Sequence, residues 1–155
     1  MTSLVVRAIT ADDVRRLHEL FTQFNTAAST DEKVNRYRDR LERLVGVWEH
    51  HIVVAEVDGD VVGYAAAQDY GPPPGEDGSV ARMHDLWVSP DARGKGAGRA
   101  LFADIREWAQ NERRIRVLQW QSGQVATDFY RRLGLADASG DGENFELAVH
   151  LPVAD

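Results

Sequence analysis

The chain has 155 residues, 43% of them hydrophobic and 28% charged, with a formal net charge of −7 and no cysteine. That length and composition suit a single globular domain spanning residues 1–155 and exclude a disordered chain. The acidic balance excludes a general nucleic-acid binder, and the missing thiols exclude disulfides, thiolate metal sites and a cysteine nucleophile.

Leu4 to Ile9 is predicted as a first strand. Thr10 caps the helix that follows, with Asp13 at the capping-box position, and Val14, Leu17, Leu20, Phe21 and Phe24 share one helical face. A second helix is expected from Ser29 or Thr30, with an apolar stripe of Val34, Tyr37, Leu41 and Leu44 and a mixed-charge opposite face. His51 to Val57 and Val61 to Gln68 form a hairpin across Asp58-Gly59-Asp60. A proline- and glycine-rich loop from Tyr70 to Ser79 leads to a strand over Val80 to Val88. Leu101, Ile105 and Trp108 then keep helical spacing, Ile115 to Trp120 is a strand, and Val125 to Leu133 is a short helix stopped by Gly134. Leu135 to Ala138 and Phe145 to Leu151 are expected as two last strands. The hairpins demand antiparallel pairing and the later strand–helix–strand step a parallel pair, so the expected fold is α/β: a mixed sheet covered by helices.

No apolar run nears the ~20 residues of a membrane helix, and Met1 to Ile9 lacks the form of a signal peptide, so a cytoplasmic protein without membrane attachment is expected. His18, His50, His51, His84 and His150 show no spacing that assembles a metal site, and none is expected. His50 and His51 are expected at the solvent end of their strand, and Trp48, Trp87, Trp108 and Trp120 in the core, with Trp87 or Trp120 also able to border a channel.

The chemistry is concentrated in Leu86-Trp87-Val88-Ser89-Pro90-Asp91-Ala92-Arg93-Gly94-Lys95-Gly96-Ala97-Gly98-Arg99. An apolar strand stops at Ser-Pro, a glycine-rich basic turn follows, and a helix opens. Glycines let amide N–H groups crowd an anion, and a helix N-terminus adds partial positive charge. The spacing fits neither the nucleotide-triphosphate loop, since Gly96 follows Lys95, nor the dinucleotide fingerprint, since Arg99 or Leu101 stands where the third glycine belongs.

What fits is Arg93-x-x-Gly96-x-Gly98 after a strand, together with Ala126, Phe129, Tyr130, Gly134 and Leu135 in the later helix. In both signatures and their separation the chain resembles the GNAT superfamily of acetyl-CoA-dependent N-acetyltransferases. The resemblance implies a central, mostly antiparallel mixed sheet of six to seven strands with about four helices, and acetyl-CoA as cofactor. By the match, Leu86, Trp87 and Val88 offer backbone to the pantetheine arm. Arg93, Gly94, Lys95, Gly96, Ala97, Gly98 and Arg99 hold the pyrophosphate, and Tyr130 faces the cofactor sulfur as proton donor. One departure is Gly123 at a position where the family often has Asn; Gln121, Ser122 or Gln124 is available to stand in.

The base is left between His84 and Asp85. Adjacent strand residues face opposite sides, so only one of them reaches an acceptor cleft unless a bulge intervenes. His84-Asp85-Leu86-Trp87-Val88 resembles the fourth strand of polyamine and diamine acetyltransferases, with His84 breaking their acidic pair. The implied reaction is acetyl transfer from acetyl-CoA to a primary amine, with a small molecule favoured by the net charge, the acidic loops at Glu76-Asp77 and Asp141 to Glu143, and that strand. A protein or peptide acceptor, and a non-catalytic acyl-CoA-binding module, remain the alternatives. A homodimer is compatible with the family, with no interface fixed by these residues.

Overall fold

The computed structural model describes residues 2–24, 31–75, 77–135, 139–140 and 144–152. Strand β1 (Leu4–Ala8) leads through one 3-10 turn into helix α1 (Val14–Phe24), and α2 (Asp31–Leu44) follows. Strands β2 (His50–Val57), β3 (Asp60–Asp69) and β4 (Ser79–Val88) come next, then α3 (Ala97–Glu107), β5 (Ile115–Gly123), α4 (Gln124–Arg132), β6 (Ser139–Gly140) and β7 (Asn144–His150). Among the described residues these strands form one seven-stranded sheet in the order β1-β2-β3-β4-β5-β7-β6. Every neighbouring pair is antiparallel except β4 with β5. The predicted element order, helix count and mixed sheet are all present.

The capping box forms as expected: the Asp13 carboxylate accepts the Thr10 amide at 2.8 Å. Arg7 also donates to Asp13, at 2.7 and 2.8 Å, and pairs with Glu56, fastening β1 to the start of α1. The sheet has two differently built faces. On one, Ala55, Ala65, Ala67 and Ala81 are flush with the backbone, so Leu101, Phe102 and Ile105 of α3 lie close against β2, β3 and β4. On the other, Ile52, Val54, Val61 and Tyr64 meet Val14, Leu17, Leu20 and Leu41 of α1 and α2. The hairpin strand β3 is buried on both sides, as its unbroken Val61-to-Ala67 run requires.

Several boundaries differ from the sequence reading. The α3 helix ends in a π-helical turn, Trp108–Glu112, because Trp108 and Ala109 are drawn into the core while the backbone widens around them. Leu135 is outside any strand and β6 comes later, at Ser139–Gly140; residues 136–138 lie outside the described set. So do the start expected for α2 at Ser29 or Thr30, Glu76, and the acidic loop at 141–143. Trp48 is 65% exposed rather than in the core and carries the Arg113 guanidinium over its ring at 3.7 Å, a cation–π contact that needs no burial. His51 is not at a solvent end: it stacks on Trp108 at 5.0 Å, and its Nε2 lies 2.7 Å from Asp104.

Candidate active site

The site begins where the one parallel pairing stops. β4 and β5 are in register from Ser79↔Ile115 to Met83↔Trp120, and beyond that rung they no longer pair. The segment from Asp85 to Val88 stays paired with β3 on one side and borders a widening gap on the other, while β5 leaves with β7. At the fork Trp120 is fully buried, and its indole Nε1 has no hydrogen-bond partner among the described residues.

A cleft of about 520 Å³ opens from this gap, lined by Leu86, Trp87, Val88, Ala92, Arg93, Gly94, Gly98, Ala126, Phe129, Tyr130 and Arg132. The loop at its mouth is shaped by glycine: Gly94 has φ +75° and Gly96 φ +90°, conformations that an L side chain rarely adopts. At Gly98 an added Cβ would crowd the Phe129 ring at 3.3 Å. Among the described residues, none of the amides from Gly94 to Arg99 donates to a backbone carbonyl; the first to do so is Ala100, to Gly96 at 3.0 Å. Six consecutive N–H groups at a helix start are therefore left to solvent or an anion. Arg93 lines the cleft and donates from Nε to the Val88 carbonyl at 2.9 Å. Lys95, Gly96, Ala97 and Arg99 do not line it: Lys95 and Arg99 are exposed, Gly96 caps α3, and the Ala97 methyl is buried in the core.

Tyr130 forms the inner wall. It is 5% exposed and rests among Phe102, Trp120 and Phe129. Burial pushes its phenol above the ordinary value, so it stays protonated throughout the neutral range.

His84 and Asp85 are not split between the two faces. Met83 pairs with Ala67 and Asp85 with Ala66, which leaves His84 as an extra residue, a β-bulge. Asp85 shares the face of its partner Ala66, which packs toward α1 and α2. Met83 belongs to the opposite, α3-side core, so strand alternation carries its neighbour His84 to the same face as Asp85. The bulge that the sequence reading left open is therefore present, and strict alternation does not hold here. Both residues are exposed, and neither lines the cleft. Desolvation lowers the imidazole of His84 below its ordinary 6.5 against the opposing pull of Asp85, while it raises the Asp85 carboxyl.

Three tyrosines outside both motifs surround this pair. Tyr37 of α2 and buried Tyr64 of β3 pack together and sense the Asp85 charge, and the Tyr70 hydroxyl lies 3.2 Å from His84 Nε2. Tyr64 was accessible in principle from strand register, since it stands across from Trp87; Tyr70, in an irregular loop, gave no signal. Of the stand-ins for the family's Asn, Ser122 is buried and Gln121 exposed, and the side chain of Gln124 lies outside the described set. Among the described residues no group of three His, Asp or Glu could hold a metal, and no helix is long and apolar enough to cross a membrane.

Comparison with known proteins agrees with this architecture. The sequence profile of the acetyltransferase (GNAT) family matches residues 14–135. An uncharacterised N-acetyltransferase of Methanocaldococcus jannaschii is 30% identical over 139 residues, covering 85% of this chain and 60% of its own length. A Pseudomonas aeruginosa L-methionine sulfoximine/L-methionine sulfone acetyltransferase is 35% identical over 103 residues, 65% of this chain and 53% of that protein. The chain thus spans under two thirds of the length of these relatives. Among solved structures, PaiA N-acetyltransferase from Thermoplasma acidophilum in complex with coenzyme A has the same fold at TM-score 0.72 and 16% identity, with 96% of this chain and 99% of that one covered. Glucosamine-6-phosphate N-acetyltransferase from Arabidopsis thaliana aligns at TM-score 0.72 and 20% identity over 90% of this chain and 95% of its own. With the profile covering most of its length and both signatures in their places on the fork, the chain belongs to the GNAT acetyltransferase family.

Proposed function

We propose that this protein transfers an acetyl group from acetyl-CoA to the primary amine of a small molecule. The observation that carries the reading is the fork between β4 and β5 beside six backbone-unbonded amides. A cleft beside this gap suits a long thin chain ending in a diphosphate: the segment of Leu86, Trp87 and Val88 that borders the gap offers backbone to the pantetheine amides. The Gly94-to-Arg99 amides receive the diphosphate, with Arg93 adding charge at the mouth and Lys95 and Arg99 adding it to the surrounding field. Bound acetyl-CoA supplies an activated thioester carbonyl.

The chain's own groups do the proton work. Asp85 attracts the acceptor as an ammonium ion. His84, held below its ordinary pKa, is neutral at pH 7 and takes the proton that the amine gives up. Tyr130 Oη keeps its proton until a thiolate needs it, because burial disfavours the phenolate. The Pseudomonas relative, named for methionine-derived amines, supports a small acceptor.

Calorimetry with coenzyme A and a thiol-release assay with acetyl-CoA test this together, using amino acids and their sulfoximines, diamines, polyamines and short peptides as acceptors. Binding plus thiol release with a small amine is expected. Turnover on peptides alone would move the acceptor class, binding without turnover would leave an acyl-CoA-binding module, and no binding would end the reading.

A further inference from the structure

Tyr70 follows β3 and belongs to no motif, and it is 56% exposed. Its place is nevertheless fixed. Asp69, buried at the end of β3, receives Arg113 on Oδ2 at 2.9 Å from Nε and 2.5 Å from Nη2, and its Oδ1 accepts the Gly71 amide at 2.8 Å. The backbone on either side of Tyr70 continues the pairing with β4: the Tyr70 amide donates to Val80 at 2.9 Å, and the Val80 amide to Gly71 at 3.2 Å. From this anchored turn the phenol reaches along β4 to His84, with Oη 3.2 Å from Nε2 and the rings edge to face, 6.2 Å apart at 64°.

Resting on the acetyltransferase reading above, we propose that Tyr70 is a positioning residue whose hydroxyl holds the bulged His84 ring by Nε2 and leaves Nδ1 to take the proton of the acceptor amine. A bulge residue has no cross-strand partner of its own, so something else must fix its side chain. With Nε2 engaged, only Nδ1 can act as base. The neutral ring then carries its hydrogen on Nε2 and donates it to Tyr70 Oη. The charged and titratable groups facing His84 are Asp85 and Arg82 from β4, His50 from β2 and the Tyr70 phenol. Asp85 pulls its titration up, and Arg82 and His50 push it down. A hydroxyl that accepts from Nε2 serves the neutral and charged ring alike, steering orientation and tautomer without blocking protonation.

The test is a nitrogen-15 NMR titration of the His84 imidazole in the full chain, assigned with His84→Gln, in wild type and Tyr70→Phe. Phenylalanine keeps the ring contact and removes only the oxygen. Wild type is expected to hold the Nε2-protonated tautomer. Tyr70→Phe should show a tautomer mixture and a lower titration midpoint, since the imidazolium loses an acceptor. The acid limb of kcat/KM should move the same way, with kcat/KM for the amine down about tenfold and KM for acetyl-CoA unchanged. Identical tautomer and midpoint in the two proteins would overturn the proposal. A released ring in Tyr70→Phe with undiminished acetyl transfer would overturn the positioning role alone. A held ring in a wild-type protein that acetylates no amine would overturn the role through the enzymatic reading, while the contact itself stands.

Discussion

Tyr130 is enclosed by three aromatic rings, with centroids 5.8 Å away for Phe102 and 5.1 Å for both Trp120 and Phe129. Under the proposed reaction its hydroxyl is the proton donor to the departing thiolate. Tyr130→Phe removes one oxygen without opening a cavity. Its kcat should therefore fall by about a hundredfold, while coenzyme A affinity by calorimetry and the Tm stay close to wild type. If kcat is unchanged, Tyr130 is packing and not chemistry. The proposed acceptor site depends on the bulge at His84. It sets an imidazole and a carboxylate side by side on one face, where a regular strand would part them.

The phosphate loop and the fork are properties of elements. Gly94 and Gly96 hold left-handed backbone, and the proposed diphosphate site needs that conformation. Gly96→Val is predicted to weaken coenzyme A binding by about 1–2 kcal/mol, five- to thirtyfold in Kd, through that conformational penalty. Its nearest neighbour, Leu4 Cδ2 at 3.8 Å from an ideal Cβ, leaves the substitution room, so the folded state should survive. Calorimetry on the variant decides the matter, and an unaltered Kd would show that the loop amides do not carry the diphosphate. The π-helical turn at Trp108–Glu112 belongs to the same scale. It seats Trp108 and Ala109 in the core and is followed by Arg113, which clamps Asp69 and so the turn bearing Tyr70.

For the molecule as a whole, α3 and α4 pack on one face of the sheet, and α1 and α2 on the other, which carries His84 and Asp85. The join between β1 and α1 depends on Arg7, Asp13 and Glu56. The Arg7 guanidinium and the Thr10 bonds hold the Asp13 carboxyl at about 2, against 3.8 when unfolded. A depressed carboxyl contributes stability above its unfolded pKa, and that contribution disappears as pH falls through the folded one. Roughly 2 kcal/mol should therefore be present at pH 7 and lost between about pH 4 and pH 2. Urea unfolding of Asp13→Asn is expected to show the deficit at pH 7 and little difference from wild type near pH 2. Equal gaps at both pH values would contradict the assignment.

Element order, the α/β class and the glycine turn before α3 were legible because hydrophobic periodicity and glycine placement are local, and local rules write themselves into neighbouring residues. Arg93, Gly96, Gly98 and Tyr130 were named through the family resemblance, whose motifs are short and local in the same way. The bulge at His84, the exposure of Trp48, the stacking of His51 on Trp108 and the reach of Tyr70 depend on strands and turns far apart in the chain. Register is chosen by the packing of whole faces, not by the residues at the slip, so only the assembled sheet decided which side chains meet at the candidate site.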